Sequence, residues 1–367
     1  MVAIGGFAGA IPSRRVVRLV LGLALVAGEI ALVAPHVSRG GSALADLDWN
    51  WVAAAIACEI ASVATYARLR HSLLRAGGVR VPRGRMGALA VASNAISVTV
   101  PAGAAVSAGY LYRQLRRNGA SAPLVVWTLA AAAVVSGLAF SVIGMAGTVL
   151  GGDDSLPGVI GAGGLSLATV AGLVALLTVV TRHPRPIVRA LRATCARLPW
   201  RRGSGCAEGG DVEAVVEQLT VIRPRVRDWG AAFWFATVNW AADLACFVFC
   251  CYAVGVDQLG VGVAVLAYVA GLATSSLTVL PGGIGTVEAG FMVGLAHAGV
   301  SAPLAVAGIL TYRLVAYGLV ALVGWTVWVV LRRRSDAPAP AVSSAPEAAA
   351  GSSGSGGDPA APVIAAA

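Results

Sequence analysis

Five ionisable side chains sit deep inside apolar runs: Glu29, Glu59, Asp243, Glu288 and Arg313. A charge taken out of water is costly, so each needs an ion partner, a proton, a hydrated cavity or a ligand. At about 1.5 Å rise per helical residue, Glu29 lies roughly 17 Å, Glu59 roughly 15 Å and Asp243 roughly 20 Å into its segment. Glu288 and Arg313 lie roughly 18 Å and 15 Å from the turn between them, so all five converge on the middle of an apolar layer about 30 Å thick. The Ser301-Ala302-Pro303 turn makes the segments of Glu288 and Arg313 neighbours, and these two are expected to pair. That leaves Glu29, Glu59 and Asp243 without a cation. They are then protonated, hydrated, or open to a cationic substrate group.

The residues expected to shape a binding site around these charges are helix breakers: Pro101 and Gly103 in one segment, and Pro281, Gly282, Gly283 and Gly285 in another. Proline removes a backbone donor, and glycine opens left-handed backbone, so both breaks expose peptide groups. Other chemistry is poorly represented. Cys58, Cys246, Cys250 and Cys251 lie in apolar segments, Cys195 and Cys206 stand in a basic loop, and no CxxC or His/Cys cluster has ligand spacing. No metal or other cofactor is expected. His36 and His297 read as interfacial residues at segment ends.

The elements that must hold these residues are apolar helices. Of 367 residues, 57% are hydrophobic and only 12% charged, with a mean hydropathy of +0.80. A soluble domain has about 25% charged residues, so this is an all-α polytopic membrane protein, and its long apolar runs exclude a β-barrel. Eight membrane segments are expected, at 18–38, 49–67, 86–112, 122–150, 158–181, 230–254, 261–300 and 303–331. The third and seventh contain the breaks.

The net charge of +10 comes with 27 arginines and no lysine. It suggests nucleic acid until the arginines are placed, because all but Arg39 and Arg313 fall in loops that alternate along the chain. Positive loops face the cytoplasm. Both termini are then cytoplasmic, and 86–117 must enter and leave from the inner face. By the same rule 261–300 is a hairpin entered from the outer face. The loop 182–229 holds ten arginines and an apolar stripe of Val212, Val215, Val216, Leu219 and Ile222, expected as an amphipathic helix on anionic lipid. It lacks interleaved aromatics, so no nucleic-acid partner is expected.

Shifting the chain by 180 residues aligns Pro101–Leu124 with Pro281–Leu304 without a gap. Eight positions are identical, namely Pro101/Pro281, Gly103/Gly283, Leu115/Leu295, Gly119/Gly299, Ser121/Ser301, Ala122/Ala302, Pro123/Pro303 and Leu124/Leu304. The segments 49–67 and 230–254 correspond as well. With the charge topology, this describes an inverted repeat of two units, each with a broken re-entrant hairpin, the architecture of alternating-access carriers. Residues 1–17 form a cytoplasmic tail, 18–331 the membrane domain, and 332–367 a disordered cytoplasmic tail rich in Ala, Pro, Ser and Gly. Ser42-Ala43-Leu44-Ala45 resembles a signal-peptidase site, but cleavage there would remove a segment the repeat needs, so residues 1–45 are expected to be retained.

The run Leu280-Pro281-Gly282-Gly283-Ile284-Gly285-Thr286-Val287-Glu288, with Gly299 and Tyr312-Arg313 beyond it, resembles the flippase-like transmembrane domain of lysylphosphatidylglycerol synthases and their stand-alone relatives. The resemblance spans about 15–334. It implies an inner-membrane protein of about eight segments that moves a lipid between leaflets, aminoacylated phosphatidylglycerol in the named enzymes. It also implies that Pro281, Gly282, Gly283, Gly285, Glu288 and Arg313 match the motif positions. Two departures stand out. Nothing after Arg334 could form an aminoacyltransferase domain, and Pro101-Ala102-Gly103-Ala104-Ala105 is uncharged where many relatives carry charge, which leaves the headgroup open.

The expected function is therefore a lipid flippase or carrier for a phospholipid or glycolipid, with membrane lipids as partners and no enzyme activity. No Walker motif is present, so no ATP hydrolysis is expected. Two alternatives stay open: a scaffold without transport, and a polytopic lipid-linked glycosyltransferase with Asp46 and Asp48 as its acids.

Overall fold

The computed structural model describes residues 47–100, 102–150, 172, 224–257, 259–275, 281–283 and 285–336. The expected segments 18–38 and 158–181, the loop stripe at 212–222, and the site candidates Glu29 and Pro101 lie outside these residues.

The described residues are helical and contain no strand. In chain order they form α1 (Trp49–Ala76), α2 (Arg83–Thr99), α3 (Gly103–Arg117), α4 (Ala122–Leu150), α5 (Val226–Ala253), α6 (Val261–Ser275), a tight Pro281–Gly283 turn, α7 (Thr286–His297), α8 (Ala302–Arg313), a π-helical segment (Leu314–Leu319) and α9 (Val320–Asp336). Among the described residues, four helices are long and apolar enough to cross a membrane: α1, α4, α5 and the continuous stretch Ala302–Arg333. By contrast α2, α3, α6 and α7 have 17, 15, 15 and 12 residues, too short to span a layer of about 30 Å singly.

Helix α1 runs nine residues beyond its expected end at 67. Residues 68–76 are too arginine-rich to look like membrane core, yet Leu69, Leu73 and Leu74 lie at helical spacing and are fully buried, so the helix continues to bury them. It stops at Gly77-Gly78, where Gly78 takes φ +86° and Val79 N–H donates to Leu74 C=O. Helices α3, α5 and α9 also extend past their expected limits, to Arg117, from Val226 and to Asp336.

The short helices fold back in pairs. Gly294 of α7 lies so close to α6 that a Cβ there would come 2.3 Å from Ala267 Cα, and one on Gly290 would come 2.6 Å from Ala270 C=O. The residue number falls on α6 as it rises on α7, so the pair is an antiparallel hairpin. Where the surroundings are as apolar as the side chains, such close backbone approach by small residues supplies the packing energy. Helices α2 and α3 form the other hairpin, its turn tightened by Gly103 against Ser97 C=O.

Two apolar cores result. One joins the C-terminal half of α1 to α2, α3 and α4 through Leu69, Leu73, Met86, Leu111 and Leu115; the other joins α5, α6, α7 and α8 through Phe247, Tyr268, Phe291, Leu295 and Tyr312. The halves meet along α1 and α5, which pack against each other more extensively than any other pair. Asp48 N–H donates to Ala253 C=O, Trp51 meets Phe249 and Tyr252, and Asn239 Nδ2 donates to Ser62. Partners descend on α5 as they ascend on α1, from Asp48 with Ala253 to Ser62 with Asn239, so the two helices are antiparallel. Crosswise, α4 packs on α6 and α9 packs on α2.

The local backbone also repeats at an offset of 180. Ala102 and Gly282 both take left-handed angles, φ +52° and +59°, and Gly119 and Gly299 both take positive φ. The hydrogen bonds match: Ala120 N to Leu115 O beside Val300 N to Leu295 O, and Val125 N to Ser121 O beside Ala305 N to Ser301 O.

Candidate lipid site at the helix breaks

The second break is built by backbone geometry that only glycine adopts cheaply. Gly282, Gly283 and Gly285 take φ of +59°, +65° and +87°, which turn the chain between Pro281 and the start of α7. This leaves the Gly282 carbonyl and the Gly285 N–H outside any helix ladder. Glu288, in the first turn of α7, folds back so that its Oε2 accepts from Gly285 N at 2.7 Å. A carboxylate there also opposes the positive end of the helix dipole.

Its other oxygen, Oε1, is 2.8 Å from Arg313 Nη2. Arg313 Nη1 donates to the Gly282 carbonyl at 2.7 Å, and its guanidinium lies 4.3 Å from the centre of the Tyr317 ring. One planar cation thus holds a carboxylate, an orphan carbonyl and an aromatic face, which a lysine could not do together. The Arg313 side chain is 11% exposed and that of Glu288 30% exposed, so the pair is sheltered but reachable from the Glu288 side. The tip of the first hairpin adjoins this point: a Cβ on Gly282 would sit 3.3 Å from both Arg313 Nη1 and Val98 C=O.

A second cluster lies between the halves. Asp243 of α5 accepts from Tyr268 of α6 at 2.5 Å and from Tyr312 of α8 at 3.1 and 3.2 Å. Glu59 of α1 faces the Asp243 carboxyl closely enough for the two acids to interact, and it is only 7% exposed. Rings of Phe247, Phe291, Tyr268 and Tyr312 pack together on this cluster.

Of the residues expected from the sequence, Gly282, Glu288 and Arg313 come together as one unit, with Gly283 and Gly285 shaping it and Pro281 in its turn. Glu59 and Asp243 form a second unit. Gly103 shapes the first hairpin and carries no charge to either. His297 is exposed at the end of α7. Asp48 caps α1, its Oδ1 accepting from Asn50 N at 2.9 Å.

Arg70, expected in a loop, lies instead within α1 and is 9% exposed. Arg313 is therefore not the sole cation among the helices. Arg70 Nη2 donates to Tyr66 OH at 2.8 Å and Nη1 to Ser93 Oγ at 3.2 Å, with the guanidinium 4.0 Å from the Tyr66 ring centre. Tyr268, Tyr317 and Tyr66 were missed because an aromatic in an apolar run reads as core. Tyr312 was seen only beside Arg313. The usable signal was a phenol at the same depth as an unpaired acid, since a buried O–H needs an acceptor.

Among curated proteins no match to the chain is found. The family model for the lysylphosphatidylglycerol synthase TM region matches residues 19–324. Long apolar helices, a glycine-built break and a match over most of its length agree: this is a multi-pass membrane protein of the lysylphosphatidylglycerol synthase TM region family.

Proposed function

We propose that this protein moves a phospholipid or glycolipid between the leaflets of the cytoplasmic membrane, aminoacylated phosphatidylglycerol being one candidate cargo, and that it acts as a carrier and not as an enzyme. Both termini are placed in the cytoplasm, by the arginine distribution. The core is an inverted repeat: α1, the hairpin α2–α3 and α4 form one unit, and α5, the hairpin α6–α7 and α8–α9 form the other. Support comes from the antiparallel packing of α1 on α5, the crosswise pairs α4 on α6 and α9 on α2, and the backbone angles shared at an offset of 180. In this reading the hairpins are re-entrant and the two breaks meet near the midplane.

The observation that carries the function is the Arg313 fork. A guanidinium held by one carboxylate and one carbonyl, with the carboxylate partly exposed, can exchange Glu288 for a lipid phosphate in the same planar geometry. The released Glu288 then faces a cationic headgroup such as an aminoacyl ammonium. Eight segments are retained, with 18–38 and 158–181 completing the two units. No observation favours the scaffold, and Asp48 as a helix cap does not favour the glycosyltransferase.

The test is transport in proteoliposomes carrying a headgroup-labelled fluorescent phospholipid, with an impermeant reductant that bleaches the outer leaflet only. Wild-type protein bleaches beyond the outer-leaflet fraction. Arg313→Ala and Glu288→Ala, still monodisperse, lower that rate at least tenfold, the equivalent of about 1.4 kcal/mol in barrier height. Equal rates in wild type and both variants would sink the site, and absence of bleaching beyond the outer leaflet with any lipid class would sink the carrier.

A further inference from the structure

The Glu59–Asp243 cluster has no part in the Arg313 fork, and its hydrogen bonds leave one group unaccounted for. Asp243 acts only as an acceptor toward Tyr268 and Tyr312, both phenols donating to it. A hydrogen bond between two carboxyls needs a proton on one of them. Two phenol donors favour the ionised form of Asp243, and no donor among the described residues reaches Glu59 from the other helices, so the proton is placed on Glu59. The Glu59 Oε2 has no hydrogen-bond partner among the described residues, although the residue is 93% buried, the complement of its 7% exposure. A bare oxygen in apolar surroundings is tolerable on a neutral acid and expensive on a carboxylate.

No basic side chain forms an ion pair with either acid among the described residues. From α1 and α5 the titratable neighbours are Cys58, Cys246 and Cys250. From α6, α8 and the π-helical segment they are Tyr268, Tyr312 and Tyr317. Helix α4 carries no titratable residue, α2 carries only Arg83 and Arg85 at its far end, Arg313 is engaged by Glu288, and Arg70 is engaged by Tyr66 and Ser93. Phe247, Tyr268, Phe291 and Tyr312 are at most 1% exposed, so the cluster has no room for a headgroup. The ligand that fits is a proton. Asp243 itself is half-buried.

We propose that the Glu59–Asp243 pair, closed by Tyr268 and Tyr312, binds one exchangeable proton whose release and uptake couple a transmembrane proton gradient to lipid movement. The coupling rests on the carrier reading above. Release gives the proton to water and leaves two adjacent carboxylates, which the cluster holds together only briefly because like charges at that distance repel. The α1–α5 contact then loosens, and with it the junction of the two halves. Uptake restores the hydrogen bond.

Two measurements on the full chain in lipid test this. Infrared difference spectra between acid and alkaline buffer should show the carbonyl band of one protonated buried carboxylic acid, shifted in heavy water, in wild type and not in Glu59→Gln. Asp243→Asn serves as the second variant if Glu59→Gln does not fold, and it should move the band. The bleaching assay is then run with and without an imposed proton gradient. Wild-type transport should rise several-fold with the gradient, while Glu59→Gln moves lipid at a gradient-independent rate. A missing band, a band that survives Glu59→Gln unchanged, or wild-type transport indifferent to the gradient would each overturn the proposal. If wild type moves no lipid under any gradient, the carrier reading fails and coupling fails with it, while the band decides proton binding alone.

Discussion

Replacing Arg313 by Met removes a cation from three partners at once, and the structure allows the loss to be apportioned. The bond to the Gly282 carbonyl at 2.7 Å is charge-assisted and contributes about 1.5–3 kcal/mol. Stacking on Tyr317 adds about 0.5–2 kcal/mol. Removing one member of a buried ion pair costs about 3–5 kcal/mol, mainly because the other is left alone. Glu288 is 30% exposed and keeps Gly285 N–H, so water and the helix terminus compensate part of that. These terms overlap, since all describe one guanidinium, and the upper part of the ion-pair range already contains much of the other two. The expected destabilisation is therefore about 3–4 kcal/mol for Arg313→Met. Glu288→Gln keeps one acceptor oxygen, enough for Gly285 N–H or for Arg313 but not for both, and should cost about 1–3 kcal/mol. The double variant should be more stable than the sum of the two losses by about 1–3 kcal/mol. The assay is unfolding by titration with an anionic detergent in mixed micelles, followed by tryptophan fluorescence, on wild type, both singles and the double. Strict additivity would refute the reasoning, because it would mean that Arg313 and Glu288 act independently despite their 2.8 Å contact.

Further outcomes follow from packing. Gly294→Val should destabilise by about 1–3 kcal/mol or abolish folding, as its Cβ meets the α6 backbone at Ala267, while Gly87→Ala, with open space around it in α2, should stabilise by about 0.5–1 kcal/mol; the same detergent titration reads both. Gly282→Ala should lower stability by about 1 kcal/mol, since an L residue is strained at φ +59°, and should also slow lipid movement, because the added methyl presses on Arg313 Nη1 at 3.3 Å; equal transport rates in the bleaching assay would count against a role for the fork. With Cys195 and Cys206 replaced by serine, folded protein should take up maleimide slowly at Cys58 and not at the buried Cys246, Cys250 and Cys251, as mass spectrometry would show; fast labelling of three or more thiols would contradict the packing of α5.

The Glu288–Arg313 pair could be read from sequence because a four-residue connection, 298–301, leaves two adjoining helices nowhere else to go. The Glu59–Asp243 pair could not, since it depends on the register of α1 against α5, helices separated by more than 140 residues of chain. Depth alone put both acids at one level and left their meeting undetermined. Arg70 was misplaced for a different reason. A hydropathy window of about 19 residues averages over some five turns and reports the arginines of 68–75 as a loop, whereas burial follows the helical spacing of Leu69, Leu73 and Leu74. The break at Gly282 was legible in kind, but its carbonyl as a ligand of Arg313 was not, because backbone groups leave no trace in a sequence.

The π-helical segment at Leu314–Leu319 follows directly on Arg313 and makes Ala302–Asp336 a single rod wound at two pitches. Such a segment carries wider turns, so the residues beyond it are rotated about the axis relative to an uninterrupted α-helix. Helix α8 must present small residues such as Gly308 to α5, whereas α9 must present Gly324 to α2, on the other side of the molecule. A uniformly wound helix ties those two faces to one fixed angle set by the sequence spacing. The π-helical segment works as a phase shifter: it lets one rod keep both appointments and sets the azimuth of Arg313 apart from that of the face anchoring α9.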